Sequence, residues 1–277
     1  MNFGLIGASK TGLAMAYHLW QKGYQPLFLW NRSPENLQKS RQYLPFEQLT
    51  ASFQNLAKDC DFILFSVSDD ALEAVIRDFF LHHKNTRVKL FHTSGAIDSS
   101  VFGKYENSGS MHPVISISTV AGGIENLPQT TFTCEGKIAP FLKNLAETIG
   151  ETGIILTGEQ KQNLHLSAVF LNNYLKGLIE KIKILNQTAG LEVSKTQKIL
   201  DSITRQTLAE SWREPLAKTL TGPVKRGDVQ TIKKHLDILK NDYLFQQLYK
   251  IFGNILLNFV NQDKEKTKIL KKLFKLT

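Results

Sequence analysis

A chain of 277 residues, 42% of them hydrophobic, can bury a large core, and its length suits two domains of ordinary size. The longest apolar runs fall well short of the roughly 20 residues of a membrane-spanning helix, so no membrane partner is expected, and two cysteines, Cys60 and Cys134, are too few for a metal cluster of their own. The net charge of +9 is lopsided: residues 1–157 carry 13 Lys and Arg against 14 Asp and Glu, whereas residues 158–277 carry 21 against 11.

From residue 2 to about 157, short β-rich apolar runs alternate with helical stretches, the pattern of a mainly parallel, doubly wound sheet with helices on both faces. The predicted strands are Asn2–Ala8, Pro26–Arg32, Asp61–Val67, Val88–Thr93, Ser110–Val114, Thr130–Cys134 and Gly153–Thr157, with a weaker one near Leu49–Ala51. Helices are predicted over Thr11–Lys22, Pro34–Tyr43, Asp70–Leu81 and Ala139–Ile149, placed as right-handed crossovers require. After Thr157 the β-rich runs stop and apolar residues recur at helical spacing. A boundary near Gly158 is therefore expected, with an α/β Rossmann domain over 1–157 and an all-α domain over 158–277. Gln160–Thr188 reads as one long helix closed by Ala189-Gly190, and Ser194–Trp212 as a second. Leu220-Thr221-Gly222-Pro223 interrupts the pattern, and Asp228 suits the N-cap of a helix over Val229–Lys240.

The opening residues read as a strand rather than a charged-then-apolar leader, and with both cysteines read as reduced the expected location is cytoplasmic. The positive excess is spread along helices and ends in a Lys-rich tail, Lys264 to Lys275, without an aromatic-interleaved basic motif. It reads first as a solvated face and second as attraction for small anions; charge alone is a weak signal for nucleic acid.

The first strand runs into Gly7-Ala8-Ser9-Lys10-Thr11-Gly12, a form of the dinucleotide loop with Ser at the middle glycine position. Such a loop needs small residues because its backbone must approach a pyrophosphate closely, and the next helix points its N-terminal amides at that anion. An ordinary strand-to-helix turn is the competing reading. The end of the second strand usually selects the cofactor, since an acidic residue there holds the ribose hydroxyls of NAD and repels a 2′-phosphate. Here it reads Asn31-Arg32-Ser33, a set of donors that suits the phosphate of NADP, with NAD as the alternative. A surface Arg ahead of a Ser-Pro helix start would explain the same residues.

Gly7–Gly12, Asn31-Arg32-Ser33-Pro34, Ser66-Val67-Ser68-Asp69-Asp70, His92-Thr93-Ser94-Gly95-Ala96, Met111-His112-Pro113 and Thr221-Gly222-Pro223-Val224-Lys225-Arg226-Gly227-Asp228 occur in that order. Together they resemble an uncharacterised family of Rossmann-like proteins with a C-terminal helical domain of unknown function. That family is related to deazaflavin-dependent NADP oxidoreductases, pyrroline-5-carboxylate reductase and the β-hydroxyacid and 6-phosphogluconate dehydrogenases. The resemblance implies the fold, a nicotinamide cofactor and a homodimer formed through the helical domain. Ala168-Val169-Phe170-Leu171-Asn172-Asn173 resembles the interdomain helix of the β-hydroxyacid dehydrogenases, with Val169 where those enzymes carry their proton-transferring lysine. Their mechanism is therefore not expected to run here unchanged.

In a fold of this kind the nicotinamide belongs beyond the C-terminal ends of the central strands. The loops there supply Val67, Ser68 and Thr93 to the cofactor, and Ser94 and Gly95 to a substrate carbonyl or carboxylate; a simple turn is an even alternative for Ser94-Gly95. Reduction of a C=O or C=N bond needs a proton donor. His165, one turn before Val169 and two before Asn172, comes first; His112 is second, His92 third, and Ser94 is a further catalytic candidate. Asn172, Asn173 and Arg226 are candidate substrate contacts. The expected function is an NADP-dependent oxidoreductase acting on a small anionic carbonyl or imine, and the alternative is a non-catalytic NADP-binding regulatory protein.

Overall fold

Strand β1 (Asn2–Ile6) sends Phe3 and Leu5 to one face of a sheet and Ile6 to the other, and all three are fully buried. The same two-sided burial holds for β4 (Phe62–Phe65), where Phe62 and Leu64 join one core cluster and Ile63 and Phe65 the other. Strands read this way, apolar at every position, because helices cover both faces. The computed structural model describes residues 1–276 apart from 57–58, 85–86, 261–262 and the side chain of Asn55. It divides into two compact units, Met1–Leu175 and Lys176–Thr277.

The first unit holds an eight-stranded sheet in the order β3-β2-β1-β4-β5-β6-β7-β8. The remaining strands are β2 (Gln25–Trp30), β3 (Gln48–Thr50), β5 (Lys89–His92), β6 (Ser108–Pro113), β7 (Thr131–Gly136) and β8 (Thr152–Ile155). β1 to β6 run parallel to their neighbours; β7 runs antiparallel to β6, with His112 opposite Thr133, and β8 follows β7 in parallel. This is the expected doubly wound sheet, with one reversal that the sequence does not announce.

Helices α1 (Lys10–Gln21), α2 (Pro34–Ser40), α3 (Asp69–His82) and α5 (Ala139–Ile149) fall within a few residues of their predicted spans. α4 (Val120–Asn126) has no counterpart among the predicted helices, because two of its seven residues are glycines. It is capped by Thr119 and seated against α1, where His18 Nε2 meets the Ile124 carbonyl at 2.8 Å. Helix α6 (Gly158–Ala168) opens with a capping box in which Thr157 and Gln160 satisfy each other's backbone amides. The predicted long helix is not α-helical throughout: Val169–Tyr174 is a π-helical stretch, after which α7 (Leu175–Thr188) begins.

The second unit contains α8 (Val193–Ser211), α9 (Leu216–Thr219), α10 (Gly222–Arg226), α11 (Val229–Ile238), α12 (Tyr243–Leu257) and α13 (Lys264–Leu273). Asp228 caps α11 as expected, accepting from Thr231 N at 3.1 Å. A small core of Val224, Ile232, Leu257, Leu270 and Phe274 holds α10 to α13 together. No helix among the described residues is long and apolar enough to cross a membrane.

Candidate functional site

The C-terminal ends of β1, β4 and β5 are joined by a chain of hydroxyls. Ser9, the N-cap of α1, accepts from Gly12 N at 3.0 Å; its Oγ lies 2.6 Å from Ser66 Oγ, which lies 2.8 Å from Thr93 Oγ1. Ser66 and Thr93 are buried, so these bonds replace water that cannot reach them. Gly7 enters the loop at φ +96°, and a Cβ there would run into the Ser66 carbonyl oxygen. Only glycine serves at that point. Ala8 and Thr11 are half-buried and Lys10 is exposed.

Beside this loop lies a cavity of about 240 Å³, bounded by Gly7 to Ser9, Asn31 to Ser33 and Ser66 to Ser68. Asn31 Oδ1 accepts from Ser33 N at 2.8 Å, and Ser33 Oγ accepts from Asn36 N to cap α2. Arg32 is exposed at the rim and makes no ion pair among the described residues. Ser68 precedes α3 with its hydroxyl uncommitted to the helix amides. The residues fit a dinucleotide: a glycine whose Cβ has no room, a helix N-terminus of twelve residues behind it and a guanidinium at the far end of the cleft.

A second polar group gathers at the ends of β5 and β6. His112 Nδ1 lies 2.8 Å from the Thr93 carbonyl oxygen. A carbonyl only accepts, so the proton is on Nδ1 and the Nε2 lone pair is free. Burial pushes the His112 imidazolium down to about 4, which keeps the ring neutral near pH 7. Its Nε2 faces Gly95, and so does Nδ1 of His165 from α6: a Cβ on Gly95 would lie 2.7 Å from the first and 2.6 Å from the second. His165 and His112 are thus brought together with Gly95, although they lie 53 positions apart in the chain.

His92 has a different place. It is fully buried, its Nε2 lies 3.2 Å from the Asp98 carbonyl and its Nδ1 accepts from Ser94 N at 3.2 Å. Burial pushes it down to about 3. Both nitrogens are committed to the 93–98 loop. Ser94 Oγ accepts from Ala96 N and Ile97 N, at 3.2 and 3.0 Å, which makes Ser94 the pivot of that loop and leaves its hydrogen to donate.

Lys161, on α6 one turn before His165, is a residue that sequence reasoning passed over. It is only 2% exposed, its Nζ donates to the Ile97 carbonyl, and burial pushes its ammonium down to about 8 against the pull of Glu135, Asp98 and Asp69. A Lys-Gln-Asn start to a helix reads as a solvated turn; its burial depends on the distant 93–98 loop and on β7. Asn172 and Asn173 fall in the π-helical stretch, half-buried and exposed, with Asn172 Nδ2 3.4 Å from Asn173 Oδ1. Arg226 lies in the second unit, exposed at the last position of α10, next to the left-handed Gly227. Among the described residues no group of three His, Cys, Asp or Glu side chains could hold a metal ion.

Residues 2–101 match the NAD-binding domain of 6-phosphogluconate dehydrogenase, and residues 130–255 match a domain of unknown function, DUF2520. No curated protein matches the sequence. Among solved structures, a candidate NADP oxidoreductase from Bacteroides fragilis is 22% identical with a TM-score of 0.71, covering 92% of this chain and 97% of its own. An imine reductase from Myxococcus stipitatus, solved with NAD+, is 14% identical with a TM-score of 0.67 and 99% coverage of both chains. A pyrroline-5-carboxylate reductase from Coxiella burnetii is 14% identical with a TM-score of 0.55, covering 94% of this chain and 99% of its own. At these identities the likeness is one of fold. The chain is a Rossmann-type NAD(P)-binding protein in which the dinucleotide domain is followed by a DUF2520 domain.

Proposed function

We propose that this protein is an NADP-dependent oxidoreductase that transfers hydride between the nicotinamide and a small anionic carbonyl or imine compound. The observation that carries the reading is the meeting of His112 Nε2 and His165 Nδ1 over Gly95, at the strand ends to which the hydroxyl chain from Ser9 also leads. In this reading Gly7 to Gly12 hold the pyrophosphate, Asn31, Arg32 and Ser33 the adenosine phosphate, and Val67, Ser68 and Thr93 the inner half of the cofactor. When bound, the nicotinamide gives or takes the hydride. The protein's task is the proton that the substrate nitrogen or oxygen gains on reduction. His165 is the donor; neutral His112, its Nδ1–H committed to Thr93, can only accept at Nε2. Ser94, with its free hydrogen, and Gly95 lie beside the substrate, with Asn172 and Asn173 as further contacts.

The reading includes a nucleotide-binding domain over 1–157, a helical domain over 158–277, and a homodimer. Only Thr196 of the nineteen residues of α8 is buried, while Ile199, Ile203, Leu208 and Trp212 are exposed. A helix with this much apolar surface calls for cover, and a second copy of the chain supplies it. The positive excess of residues 158–277 favours an anionic substrate.

Calorimetric titration with NADPH, NADH and NADP+ tests the cofactor arm, with Arg32→Ala as the probe. Arg32→Ala should weaken NADPH about 10- to 100-fold and leave NADH nearly unchanged. Turnover of small keto and imino acids, abolished in His165→Ala, would support the reaction. Tight NADPH binding without turnover of any such compound favours a dinucleotide-responsive binding protein, the reading to which Val169 in place of a lysine leans. Absence of binding to every dinucleotide sinks both.

A further inference from the structure

Helix α6 runs close to the end of the 93–98 loop at Gly158 and is hydrogen-bonded to it at Lys161 and Gln162. A Cβ on Gly158 would lie 3.2 Å from Asp98 Oδ2, Lys161 Nζ donates to the Ile97 carbonyl, and Gln162 Nε2 donates to Asp98 Oδ2 at 3.2 Å. His165 follows one turn later and lies against Gly95, in the middle of the same loop. From the other side the loop is held by Glu135 on β7, whose carboxylate accepts from Ser99 N at 2.8 Å, Ser99 Oγ at 2.7 Å and Ser110 Oγ at 3.2 Å. Lys161 is the buried centre of this arrangement, yet it forms no direct ion pair among the described residues.

We propose that Lys161 is a positioning residue of the reactive edge: it fastens the 93–98 loop to α6 and so sets Gly95, His112 and His165 against one another. A buried ammonium spends its few donors on fixed partners, and a carbonyl in a loop is held by it as by a pin. The groups that face it are Asp98 and His92 from the β5 end, Glu135 from β7, Asp69 from α3 and His112 from β6. His112 in turn faces Lys161, His165 and Asp69. The positive charge of Lys161 opposes a second one on His112, so the lysine also helps keep that ring a neutral acceptor. Its service to hydride transfer rests on the function proposed above; the fastening of the loop does not.

The test uses the whole chain without cofactor, comparing wild type with Lys161→Met, which keeps the length of the side chain and removes charge and donors. Amide exchange over Gly95–Asp98 should rise about tenfold or more, and the NMR titration of the His112 ring should move to higher pH. Both unchanged would overturn the proposal. If Lys161→Met does not fold, Lys161→Arg answers instead: its forked head cannot take the seat of the ammonium on the Ile97 carbonyl, so exchange over Gly95–Asp98 should again rise, and unchanged exchange overturns the proposal. Once a substrate is in hand, Lys161→Met should lower kcat about 100-fold while the dinucleotide KM stays put. Unchanged kcat would overturn the positioning role, whereas wild type without any turnover would retire the proposed function and leave the loop fastening to the NMR result.

Discussion

His112 and His165 stand edge to face, their ring centroids 6.1 Å apart and their planes at 76°, and Gly95 fills the gap between the nearer nitrogens. Alanine at position 95 has to displace one imidazole or the other. The expected result is a fold that survives with about 1–3 kcal/mol less stability, and a kcat lower by about 100-fold because the rings no longer meet. Urea unfolding beside steady-state kinetics checks it; full activity in Gly95→Ala would show that the meeting of the two histidines is incidental.

The buried imidazoles set an acid limit on stability. Burial lowers His92 to about 3 and His112 to about 4, whereas in the unfolded chain both return to about 6.5. Between those values the unfolded state binds the extra protons, so stability is full above about pH 6.5 and drains away as pH falls, by at most ~1.4 kcal/mol per pH unit for each ring. Urea midpoints taken from about pH 7 down to about pH 4.5 should show this slope. His92→Asn should flatten it, and an equal slope in the variant would assign the effect elsewhere.

Ser66 is 1% exposed and bridges Ser9 to Thr93. Ser66→Ala takes a partner from the half-buried Ser9 and the buried Thr93, at a cost of about 1–3 kcal/mol. The loosened Ser9 should also weaken NADPH binding. Paired unfolding and binding measurements on the variant decide the matter, and a Ser66→Ala protein as stable as wild type would mean the hydroxyls find other partners.

The exposed face of α8 that carries Ile199 and Ile203 gives a prediction about assembly. Ile199 is 64% exposed and Ile203, one turn later, 59%. Placing charge there, as in Ile203→Glu, should convert a dimer into a monomer in sedimentation velocity at micromolar concentration. A wild type that already sediments as a monomer removes the proposed dimer.

Much of the first unit was legible because its signals are local. Alternating apolar runs, the Ser33-Pro34 helix start and the Gly7–Gly12 loop each depend on a few neighbouring residues, so the strands and helices come out within a few positions of their bounds. The boundary of α5 was read to the residue. What escaped depends on partners far away in sequence. The burial of Lys161 needs the loop around Ile97, and the reversal of β7 needs strand pairings that a run such as Thr-Phe-Thr-Cys does not specify. The π-helical turn at Val169–Tyr174 hid inside a pattern whose period over six residues is too short to tell it from an α-helix. His165 was singled out by its spacing from Val169 and Asn172, yet its actual neighbours, Gly95 and His112, come from the sheet.

The reversal of β7 decides the direction of travel of everything after it. In a sheet parallel throughout, the chain would leave β8 at the edge where the dinucleotide loop lies, and the next helix would carry its residues away. Because β7 and β8 point the other way, the chain leaves β8 at Ile155, opposite Cys134, on its way toward the far edge. α6 then climbs back alongside the sheet, passing Asp98 and Ile97 before delivering His165 to Gly95. Two strands laid in the opposite sense thus turn an outgoing helix into a returning one, and the imidazole arrives at the strand ends from outside the sheet's own loops.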